Sequence, residues 1–537
     1  MKLNLRGLAD RQAWEQADIA LPDYDVAAMA ARTKAAPVWI HFGAGNIFRG
    51  FIAGLAQSLL EQGLTDRGVI AAETFDYDII DKIYRPYDNL TLMVTLLPDG
   101  STEKKVLAGI AEGIRAEFSD PASAARLQEI FCDPGLQMVS FTITEKGYAL
   151  TDMAGQLFPF ATKDLEQGPA CPNHAMSVVT ALLLARWKAG AAPLALVSMD
   201  NCSRNGEKLR ASVLTVARAW TERGFAPPEF LSWVEDETQV SFPWTMIDKI
   251  TPRPSEEIAR QLKTLGVEDM DAVVTERHTF IAPFVNAEAP QYLVVEDRFP
   301  NGRPPLEKAG VYLTDRDTVN LVERMKVTTC LNPLHTALAV YGCLLGYTSI
   351  AAEMRDPQLR TLVERIGNDE GMPVVVDPKI LSPRDFLAEV LQDRLPNPFI
   401  PDAPQRIASD TSQKVGIRFG ETIKSYAADP ALDAGSLTCI PLAIAGWCRY
   451  LLALDDALRP MALSPDPMLD TLCPLLADVK IGGDYDVHAA LAPILSSPVL
   501  FGSDLYAVGL GEKIEGMFRR LTAGPGAVRK TLTAYLG

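Results

Sequence analysis

The sequence predicts an α/β domain followed by a largely α-helical one. At 537 residues the chain is too long for one ordinary core, so two domains are expected. From about residue 37 to 280, short apolar runs alternate with helical patterns, which is typical of a mostly parallel sheet with helices on both faces. After Val311 the strand signals fade, and apolar-periodic segments separated by turns continue to the C-terminus. The stretch 296–311, rich in Pro, Gly and charge, is the expected boundary and gives domains 1–300 and 301–537.

The elements of the first domain follow from their apolar patterns in chain order. Strands are predicted where apolar residues run together between turn signals, at 38–42, 69–72, 138–143 and 194–198. Helices are predicted between them where apolar residues recur at helical spacing, as in 52–62 and 175–188. Parallel strands need such long crossovers, so the alternation favours one mostly parallel sheet.

Charge and hydropathy exclude several classes of partner. The net charge of -17 disfavours a nucleic acid or an anionic membrane as the main partner, and no basic run offsets it. The start of the chain has no continuous apolar core of a secretory signal, and the apolar stretch 334–352 is too short and glycine-interrupted for a membrane span. We therefore expect a cytoplasmic protein whose partner is a small molecule. Nothing in the sequence indicates the oligomeric state.

Cysteine and histidine usage argues against disulfides and metals. The eight cysteines are scattered without a CxxC pair, as expected for reduced thiols in the cytosol. The five histidines show neither HxH nor HExxH spacing. We therefore expect chemistry that uses no metal ion.

The stretch "VWIHFGAGNIFRGFIAGLA", residues 38–56, has the pattern of a strand, a glycine turn and an amphipathic helix. Gly43 would allow the tight turn, and Gly45 would let a pyrophosphate approach the positively polarised helix N-terminus. Phe48 stands where the dinucleotide fingerprint has its third glycine, so the motif is incomplete. Glu73 ends the second predicted strand, where it is either a ribose acceptor that favours NAD over NADP or a solvated charge. Arg49 is either a pyrophosphate contact or an exposed residue.

A second motif, "ERMKVTTCLNPLHTALAVYG" at 323–342, places Lys, Asn and His around a predicted helix start. Asn332 before Pro333 is typical of an N-cap with proline at the first helical position, and His335 lies on the same edge of the first turn. In a structural interpretation, Asn332 only caps and His335 only packs. In a catalytic one, both converge with Lys326 on one substrate oxygen. A dry pocket would then lower the pKa of Lys326 so that it exchanges protons near neutrality.

Two further segments place polar residues where sites form in such sheets. "LVSMDNCSRNGEKL" carries Asp200 and Asn201 at the carboxyl end of a predicted strand. "FPWTMIDKITPRP" carries Asp248 and Lys249 among apolar residues and prolines, where an idle charge would be costly. Each segment alone is also open to a structural interpretation.

Taken together, seven segments make the chain resemble the mannitol dehydrogenase family, the polyol-specific long-chain dehydrogenases. They occur in family order from about residue 36 to 415 and are "HFGAGNIFRGF", "TITEKGY", "SMDNCSRNGEKL", "FPWTMIDKITP", "VVEDRFPNGRPPLEKAGV", "ERMKVTTCLNPLHTAL" and "RIASDTSQK". The resemblance implies a Rossmann-like N-terminal domain, a helical C-terminal domain and a site between them. Within the family it is strongest to the enzymes that reduce fructuronate.

The resemblance also implies three sets of site residues. The expected catalytic residues are Asn201, Lys326, Asn332 and His335. The expected substrate-binding residues are Asp248, Arg406 and Lys414. The expected cofactor-binding residues, with NAD as the cofactor, are Gly43, Gly45, Asn46, Ile47, Arg49, Glu73, Thr144, Glu145 and Lys146.

The implied reaction is hydride transfer from NADH to the ketone of an open-chain keto-hexuronate, fructuronate giving D-mannonate. Lys326 would exchange the proton, and the amides of Asn201 and Asn332 would stabilise the carbonyl oxygen as it gains charge. Arg406 and Lys414 would clamp the substrate carboxylate. Two alternatives keep the chemistry and change the substrate: mannitol with fructose, or tagaturonate with altronate. A third, of another class, is a sugar-acid epimerase or a non-catalytic binder that retains its dinucleotide.

Two features depart from the family pattern. Lys326 and Asn332 are six positions apart, one more than is usual in the family. Either a bulge absorbs the extra residue, or Lys326 is displaced from the catalytic position. In addition, Phe48 and Phe51 stand where the family often carries histidines.

Overall fold

The computed structural model describes residues 1–152 and 155–537, which fall into two units. The N-terminal unit ends at residue 320 and contains every strand of the described chain. The C-terminal unit begins at residue 321, is helical, and also includes residues 98–100. The predicted class, an α/β domain followed by a largely helical one, is therefore confirmed.

The described strands form one large sheet and three small ones. Their bounds are β1 (Trp39–Phe42), β2 (Val69–Glu73), β3 (Thr91–Leu96), β4 (Thr102–Leu107), β5 (Ile110–Arg115), β6 (Met138–Phe141), β7 (Leu194–Ser198), β8 (Val240–Ser241), β9 (Thr245–Asp248), β10 (Val273–Val274), β11 (Phe280–Ile281), β12 (Phe284–Glu288), β13 (Tyr292–Glu296) and β14 (Tyr312–Thr314). The large sheet has the order β5-β2-β1-β6-β7-β8, and all of its strand pairs are parallel. The small sheets have the orders β12-β3-β4, β14-β13-β9 and β10-β11.

Ten of the described α-helices belong to the N-terminal unit, and α11 spans the boundary between the units. The helices up to this boundary are α1 (Arg11–Gln16), α2 (Val26–Ala35), α3 (Ala53–Glu61), α4 (Pro121–Cys132), α5 (Thr144–Tyr148), α6 (Pro159–Gln167), α7 (Ala175–Lys188), α8 (Asn205–Glu222), α9 (Pro228–Glu235), α10 (Glu256–Thr264) and α11 (Arg316–Met325). Most of them connect or cover strands of the large sheet, as the alternating sequence pattern predicts.

The C-terminal unit is built from helices alone. Its α-helices are α12 (Asn332–Leu345), α13 (Ile350–Glu353), α14 (Pro357–Arg365), α15 (Pro383–Glu389), α16 (Pro404–Ile407), α17 (Glu421–Ala428), α18 (Cys439–Tyr450), α19 (Leu469–Leu475), α20 (Val487–Leu495), α21 (Pro498–Phe501), α22 (Gly511–Leu521) and α23 (Ala527–Leu536). The described chain also has six π-helical segments, in which one extra residue widens a turn: Phe48–Ile52, Ile80–Tyr84, Lys326–Cys330, Ile366–Gly371, Val390–Arg394 and Gly416–Gly420.

The four strands predicted from the sequence, β1, β2, β6 and β7, form the middle of the large sheet and are buried along their whole length. Burial on both faces explains why each strand is a continuous apolar run rather than an alternating one. Because parallel strands end at one edge of the sheet, the residues that follow these four strands gather at that edge.

A buried histidine holds the glycine turn against the sheet. The ring nitrogens of His41 contact the hydroxyls of Ser140 and Thr142 at 2.6 and 2.8 Å, and the ring stacks on Phe48 with centroids 4.1 Å apart. Burial lowers the pKa of His41 well below its usual value, so this ring is neutral. Phe48 therefore packs on the strand that precedes the turn, which accounts for an aromatic residue at this position.

The stretch 296–311, where the sequence predicts the boundary, lies inside the N-terminal unit. β14 follows this stretch and pairs in parallel with β13, with Val294 opposite Tyr312 and Val295 opposite Leu313. The strand pairing keeps the segment with the N-terminal unit as far as Asn320.

Two buried helices, α12 and α18, pack together in the core of the C-terminal unit. The Tyr341 hydroxyl donates to the Leu442 carbonyl oxygen at 2.7 Å. A Cβ at Gly446 would lie 2.6 Å from the Tyr341 ring, so glycine permits the close approach of the two helices. This packing fixes α12, whose first turn carries two of the expected catalytic residues.

Within the described residues, none of the helices is both long enough and apolar enough to cross a membrane. The same part of the chain contains no group of three or more His, Cys, Asp or Glu residues arranged to hold a metal ion. All eight cysteines are free thiols there.

Candidate functional site

The turn after β1 needs glycine at one position and leaves open space at the other. Gly43 has a φ of +103°, and a Cβ there would lie 2.1 Å from the Thr142 carbonyl oxygen. Its N–H donates to the Ala72 carbonyl oxygen at 2.8 Å, which ties the turn to β2. A Cβ on Gly45, by contrast, would meet no atom within 4 Å. The first glycine therefore shapes the turn, and the second leaves room for a ligand.

The helix that starts at this turn presents free backbone donors. The N–H groups of Gly45, Asn46 and Ile47 donate to no acceptor within the described residues. Unpaired N–H groups at a helix start carry partial positive charge and bind phosphate groups. The turn thus fits the pyrophosphate of a dinucleotide.

Glu73 lies beneath the turn rather than in solvent. It is 6% exposed, and its carboxylate accepts hydrogen bonds from the N–H groups of Ala44 (2.8 Å), Phe75 (2.9 Å) and Asp76 (3.2 Å). Burial raises the pKa of Glu73 even though these three donors oppose the shift. The interpretation as a solvated strand-end charge is therefore wrong, and Glu73 joins the end of β2 to the glycine turn.

Arg49 is buried, so its interpretation as an exposed residue is wrong. It is 1% exposed, and its Nη2 donates to Asn46 Oδ1 at 3.0 Å and to the Ala282 carbonyl oxygen at 2.8 Å. Its Nε and Nη1 have no hydrogen-bond partner within the described residues. Burial lowers the pKa of Arg49 to about 10. This guanidinium fixes the side chain of Asn46 at the start of the helix.

The loops after β6 and β7 meet through Asp200. Its carboxylate accepts from the N–H groups of Ile143 and Thr144, both at 2.9 Å, and from the Tyr148 hydroxyl at 2.6 Å. Thr144 adopts a left-handed φ of +65°. These bonds orient the loop after β6 at the carboxyl edge of the sheet, with Asn201 exposed beside it at the end of β7.

The three expected cofactor residues of the segment "TITEKGY", Thr144, Glu145 and Lys146, are exposed at this edge. Glu145 forms an ion pair with Lys208, whereas no ion pair or hydrogen bond engages the Lys146 side chain within the described residues. Lys146 is therefore the available cation of this loop.

The segment "FPWTMIDKITP" forms β9 and the residues after it. Asp248 is buried at the end of β9, opposite Tyr292 of β13. The Lys249 ammonium donates to the Glu288 carbonyl oxygen at 2.5 Å and lies 6.0 Å from the centre of the Phe51 ring. Asp248 is thus buried, whereas Lys249 is half-buried and bonded to backbone carbonyls, and Asp248 and Asn201 both belong to the N-terminal unit.

In the C-terminal unit, Lys326 opens a π-helical segment, Lys326–Cys330, and is 4% exposed. The Leu331 N–H donates to the Lys326 carbonyl oxygen at 3.1 Å, an i to i+5 bond that loops out one residue relative to an α-helix. The extra residue between Lys326 and Asn332 is therefore absorbed by a bulge, as one of the two hypotheses held.

The predicted cap at Asn332 is wrong by one position. α12 begins at Asn332, so Leu331 is the N-cap residue, with φ −130° and ψ −60°, and no side chain caps this helix. The half-buried amide of Asn332 has no hydrogen-bond partner within the described residues. The purely structural interpretation of Asn332 as a cap thus fails, and its amide remains free to bind a ligand.

His335 and Arg406 both contact the carboxylate of Asp402, an arrangement that the sequence analysis did not predict. The Nε2 of His335 lies 3.2 Å from Asp402 Oδ2, and Arg406 forms an ion pair with the other oxygen of the same carboxylate. Burial alone would raise the pKa of Asp402, but His335 and Arg406 lower it. The anion faces Nε2, which leaves Nδ1 for a substrate hydroxyl.

Two further cations stand near each other in the C-terminal unit, and one of them contacts α12. The Arg418 guanidinium donates from Nη1 to Thr336 Oγ1 at 2.5 Å, and the Lys414 ammonium donates to the Ser409 carbonyl oxygen at 2.5 Å. Arg418 and Lys414 are one helical turn apart, since the Arg418 N–H donates to the Lys414 carbonyl oxygen. Arg406, by contrast, is 64% exposed and paired with Asp402.

Sequence reasoning missed Asp402 and Arg418. Both stand four positions from an expected substrate residue, Asp402 before Arg406 and Arg418 after Lys414. On a helix this spacing places side chains next to each other, so it is the sequence signal that could have indicated Asp402 and Arg418. Among the predicted residues, the structure gathers Lys326, Asn332, His335, Arg406 and Lys414 in the C-terminal unit.

A parallel sheet with free N–H groups at its first glycine turn, and a separate helical unit with a buried lysine, define a two-domain dinucleotide-linked dehydrogenase. Residues 38–308 match the mannitol dehydrogenase Rossmann domain, and residues 318–508 match the mannitol dehydrogenase C-terminal domain. The chain belongs to the mannitol dehydrogenase family.

Relatives cover essentially the whole chain. A protein of Thermotoga maritima named D-mannonate oxidoreductase is 54% identical over 539 residues, which span 100% of this chain and 99% of the relative. A polyol:NADP oxidoreductase of Gluconobacter oxydans is 31% identical over 82% of this chain and 84% of its own length. The structure of Pseudomonas fluorescens mannitol 2-dehydrogenase, a ternary complex with NAD and D-mannitol, aligns over 99% of both chains with a TM-score of 0.69 and 26% identity.

Proposed function

We propose that this chain is an NAD-dependent dehydrogenase that reduces fructuronate to D-mannonate and catalyses the reverse oxidation. The observation that carries the proposal is the 54% identity, over the full length of both chains, to a relative named D-mannonate oxidoreductase. The family itself supports the broader class, an oxidoreductase acting on polyols or hexonates.

The glycine turn would hold the dinucleotide. The free N–H groups of Gly45, Asn46 and Ile47 would bind the pyrophosphate, and the open space at Gly45 admits it. The buried Glu73 carboxylate at the end of β2 disfavours a 2′-phosphate, which is the reason for proposing NAD over NADP. When bound, the reduced cofactor supplies a hydride to the ketone carbon.

Lys326 would donate the proton that the substrate oxygen needs when its carbon accepts the hydride, so that the ketone becomes an alcohol. In the reverse direction the same amine removes the proton from the alcohol. Asn332, whose amide has no partner within the described residues, would donate to the oxygen as negative charge develops, and we assign Asn201 the same role. An oxyanion donor of this kind contributes roughly 3 kcal/mol to the barrier reduction.

The remaining side chains would orient the sugar chain. His335, with Asp402 on its Nε2, presents Nδ1 to a substrate hydroxyl, and Asp248 accepts from another. A hexuronate also carries a carboxylate, which needs a cationic partner in a site from which water is excluded. Arg406, Lys414 and Arg418 are the cations available for it in the C-terminal unit.

A panel of substrates tests the proposal. The purified chain is mixed with fructuronate, tagaturonate, fructose or fructose-6-phosphate, each with NADH and with NADPH, and the absorbance of the reduced nucleotide is followed. We expect kcat/KM to be at least about tenfold higher for fructuronate with NADH than for any other pair, because 1.4 kcal/mol of differential transition-state binding gives that factor. Samples without keto-substrate correct for nucleotide decay.

Each other result points to a specific alternative. If fructose is turned over faster than fructuronate, the chain is a mannitol dehydrogenase. If tagaturonate is turned over faster than fructuronate, the epimeric hexuronate is the substrate. Conversion of a sugar acid without net change in NADH, detected by NMR, indicates an epimerase. Any of these outcomes contradicts the proposal.

A further inference from the structure

We propose that Arg418, supported by Lys414, forms the subsite that binds the carboxylate of the substrate. The inference rests on the proposed function, since a hexuronate or hexonate carries a carboxylate where a neutral ketose or polyol carries a hydroxymethyl group. It differs from the sequence-based expectation, which assigned this role to Arg406 together with Lys414.

The position of Arg418 places a guanidinium against α12, the helix that carries two of the expected catalytic residues. Arg418 lies in the π-helical segment Gly416–Gly420, which packs against the π-helical segment Lys326–Cys330 and against α12. Its Nη1 donates to Thr336 Oγ1, and Thr336 follows His335 in α12, one turn after Asn332. A carboxylate bound by Arg418 would thus lie next to the groups that act on the rest of the sugar chain.

The charge of Arg418 is not compensated within the protein. No carboxylate lies within ion-pair distance of Arg418 or Lys414 in the described part of the chain. Burial lowers the pKa of Arg418 to about 10, and burial together with the nearby Arg418 charge lowers the pKa of Lys414. Two partly buried cations one turn apart repel each other, so an anion between them is favoured.

Two of the neighbouring carboxylates are engaged by other groups, and a third, Asp410, acts on Lys414 rather than on Arg418. Asp402 is shared by His335 and Arg406, and Asp466 accepts from the N–H and the hydroxyl of Ser412. Arg406 is both paired and largely exposed, so its charge is neutralised and screened. Of Arg406, Lys414 and Arg418, it is Arg418 that is least solvated and has no carboxylate partner. A guanidinium of this kind can hold a carboxylate by two parallel hydrogen bonds.

The experiment compares an anionic and a neutral substrate in matched variants. Wild type, Arg418→Met, Arg418→Lys and Arg406→Met are assayed with fructuronate and with fructose, in both cases with NADH. Lys424→Met, which removes a cation paired with Glu421 in α17, is the control for net charge. We expect Arg418→Met to lower kcat/KM for fructuronate at least about a hundredfold, mainly through KM, and for fructose less than about threefold, since only the anionic substrate loses a charge partner in a partly desolvated site.

The variants also separate binding from a structural role. Thr336→Val removes the oxygen that Arg418 contacts but keeps the guanidinium. If Arg418 only anchors α12, this variant should show the same loss of kcat/KM as Arg418→Met, and on both substrates. Equal losses on both substrates in Arg418→Met overturn the inference. A larger fructuronate-specific loss in Arg406→Met than in Arg418→Met also overturns it. If Arg418→Met does not fold, Arg418→Lys is used instead. A loss of kcat/KM that is larger for fructuronate than for fructose then supports the inference, and equal losses overturn it.

Binding measurements keep this inference distinct from the proposed reaction. Isothermal titration calorimetry with D-mannonate and with D-mannitol, in the presence of NAD, reports the subsite without turnover. Loss of D-mannonate binding with retained D-mannitol binding in Arg418→Met supports the subsite even if another keto-acid is the preferred substrate. If the wild type binds D-mannonate no more tightly than D-mannitol, the inference of a carboxylate subsite is contradicted. If the wild type only fails to turn over fructuronate, the proposed reaction alone is contradicted.

Discussion

Lys326 shows how one residue combines the demands of folding and chemistry. A lysine that is 4% exposed carries a cost in desolvation, which a protein tolerates when the amine serves a function. The π-helical segment that it opens leads directly into α12, whose first residue is Asn332. The buried position therefore supports its proposed role as acid and base.

Replacing Lys326 tests that role. We expect Lys326→Ala and Lys326→Met to lower kcat about a thousandfold, the usual contribution of general acid–base catalysis, because no proton is delivered to the substrate oxygen. The affinity for NADH, measured by nucleotide fluorescence, should stay within about twofold, since the glycine turn is in the other unit. Lys326→Met keeps most of the buried volume and controls for packing. A variant with near-normal turnover would refute the assignment.

At the same scale, the environment of each charge decided between interpretations that the sequence left open. Glu73 and Arg49 could each have been solvated, and both are buried. Asn332 could have been a cap, and Leu331 is the cap instead. The burial of a single polar residue depends on segments far away in the chain, so the local sequence could not determine it.

At the scale of elements, π-helical segments recur where the expected site residues Arg49 and Lys326 and the newly proposed Arg418 lie. Phe48–Ile52 carries Arg49, Lys326–Cys330 carries the expected acid and base, and Gly416–Gly420 carries Arg418. A π-segment contains one residue more than the α-turns it replaces, and such bulges are frequent at functional sites. The unusual spacing of Lys326 and Asn332 is thereby explained.

A single deletion tests this explanation. Removing Val327 should convert the segment Lys326–Cys330 to an α-turn while keeping both Lys326 and α12 in place, because the bulge already loops out one residue. We expect the deletion variant to keep kcat within about tenfold of wild type, since the spacing becomes that of most family members. Val327 is half-buried, whereas the rest of the segment is buried, so its loss disturbs packing least.

The matched control is deletion of Glu323 in α11, where no bulge is present. That deletion rotates the preceding helix by about 100° relative to Lys326 and should abolish folding or turnover. If the Val327 and Glu323 deletions inactivate the enzyme equally, the bulge does more than absorb an extra residue. Circular dichroism and thermal unfolding distinguish loss of fold from loss of catalysis.

At the scale of the whole molecule, a buried carboxyl group makes stability depend on pH. Glu353, at the end of α13, is 0% exposed, and neither of its oxygens has a hydrogen-bond partner within the described residues. A Cβ at Gly342 of α12 would lie 2.0 Å from Glu353 Oε1, so glycine makes the space for this side chain. Burial, with a smaller contribution from Asp356, raises the pKa of Glu353 to about 9.

The sign of the effect follows from proton binding. Between the unfolded value of 4.5 and about 9, the folded chain keeps a proton that the unfolded chain releases, so the free energy of unfolding decreases as pH rises. We expect Glu353→Gln to remove this dependence and to stabilise the C-terminal unit relative to wild type by roughly 3 kcal/mol at pH 7. Denaturant unfolding of both proteins at about pH 5 and pH 7 measures the difference.

At about pH 5 the difference between the two proteins should shrink to roughly 1 kcal/mol, because this pH is close to the unfolded pKa of 4.5 while the folded chain keeps Glu353 protonated. Glu129→Gln, at an exposed carboxylate of the N-terminal unit, is the control and should show no such pH dependence. A constant difference between wild type and Glu353→Gln at both pH values would show that packing, not ionisation, sets the effect.

The amino-acid sequence by itself determined the class of both units, the four central strands and the family, because hydrophobic periodicity and motif order are properties of neighbouring residues. It also indicated Lys326, Asn332 and His335 as candidate site residues, since they share one short segment. Only the tertiary structure decided which charges are neutralised. Arg406 pairs with Asp402 only four positions away, whereas the unpaired state of Arg418 depends on Thr336 and the segment Lys326–Cys330, which come from separate parts of the chain that packing brings together.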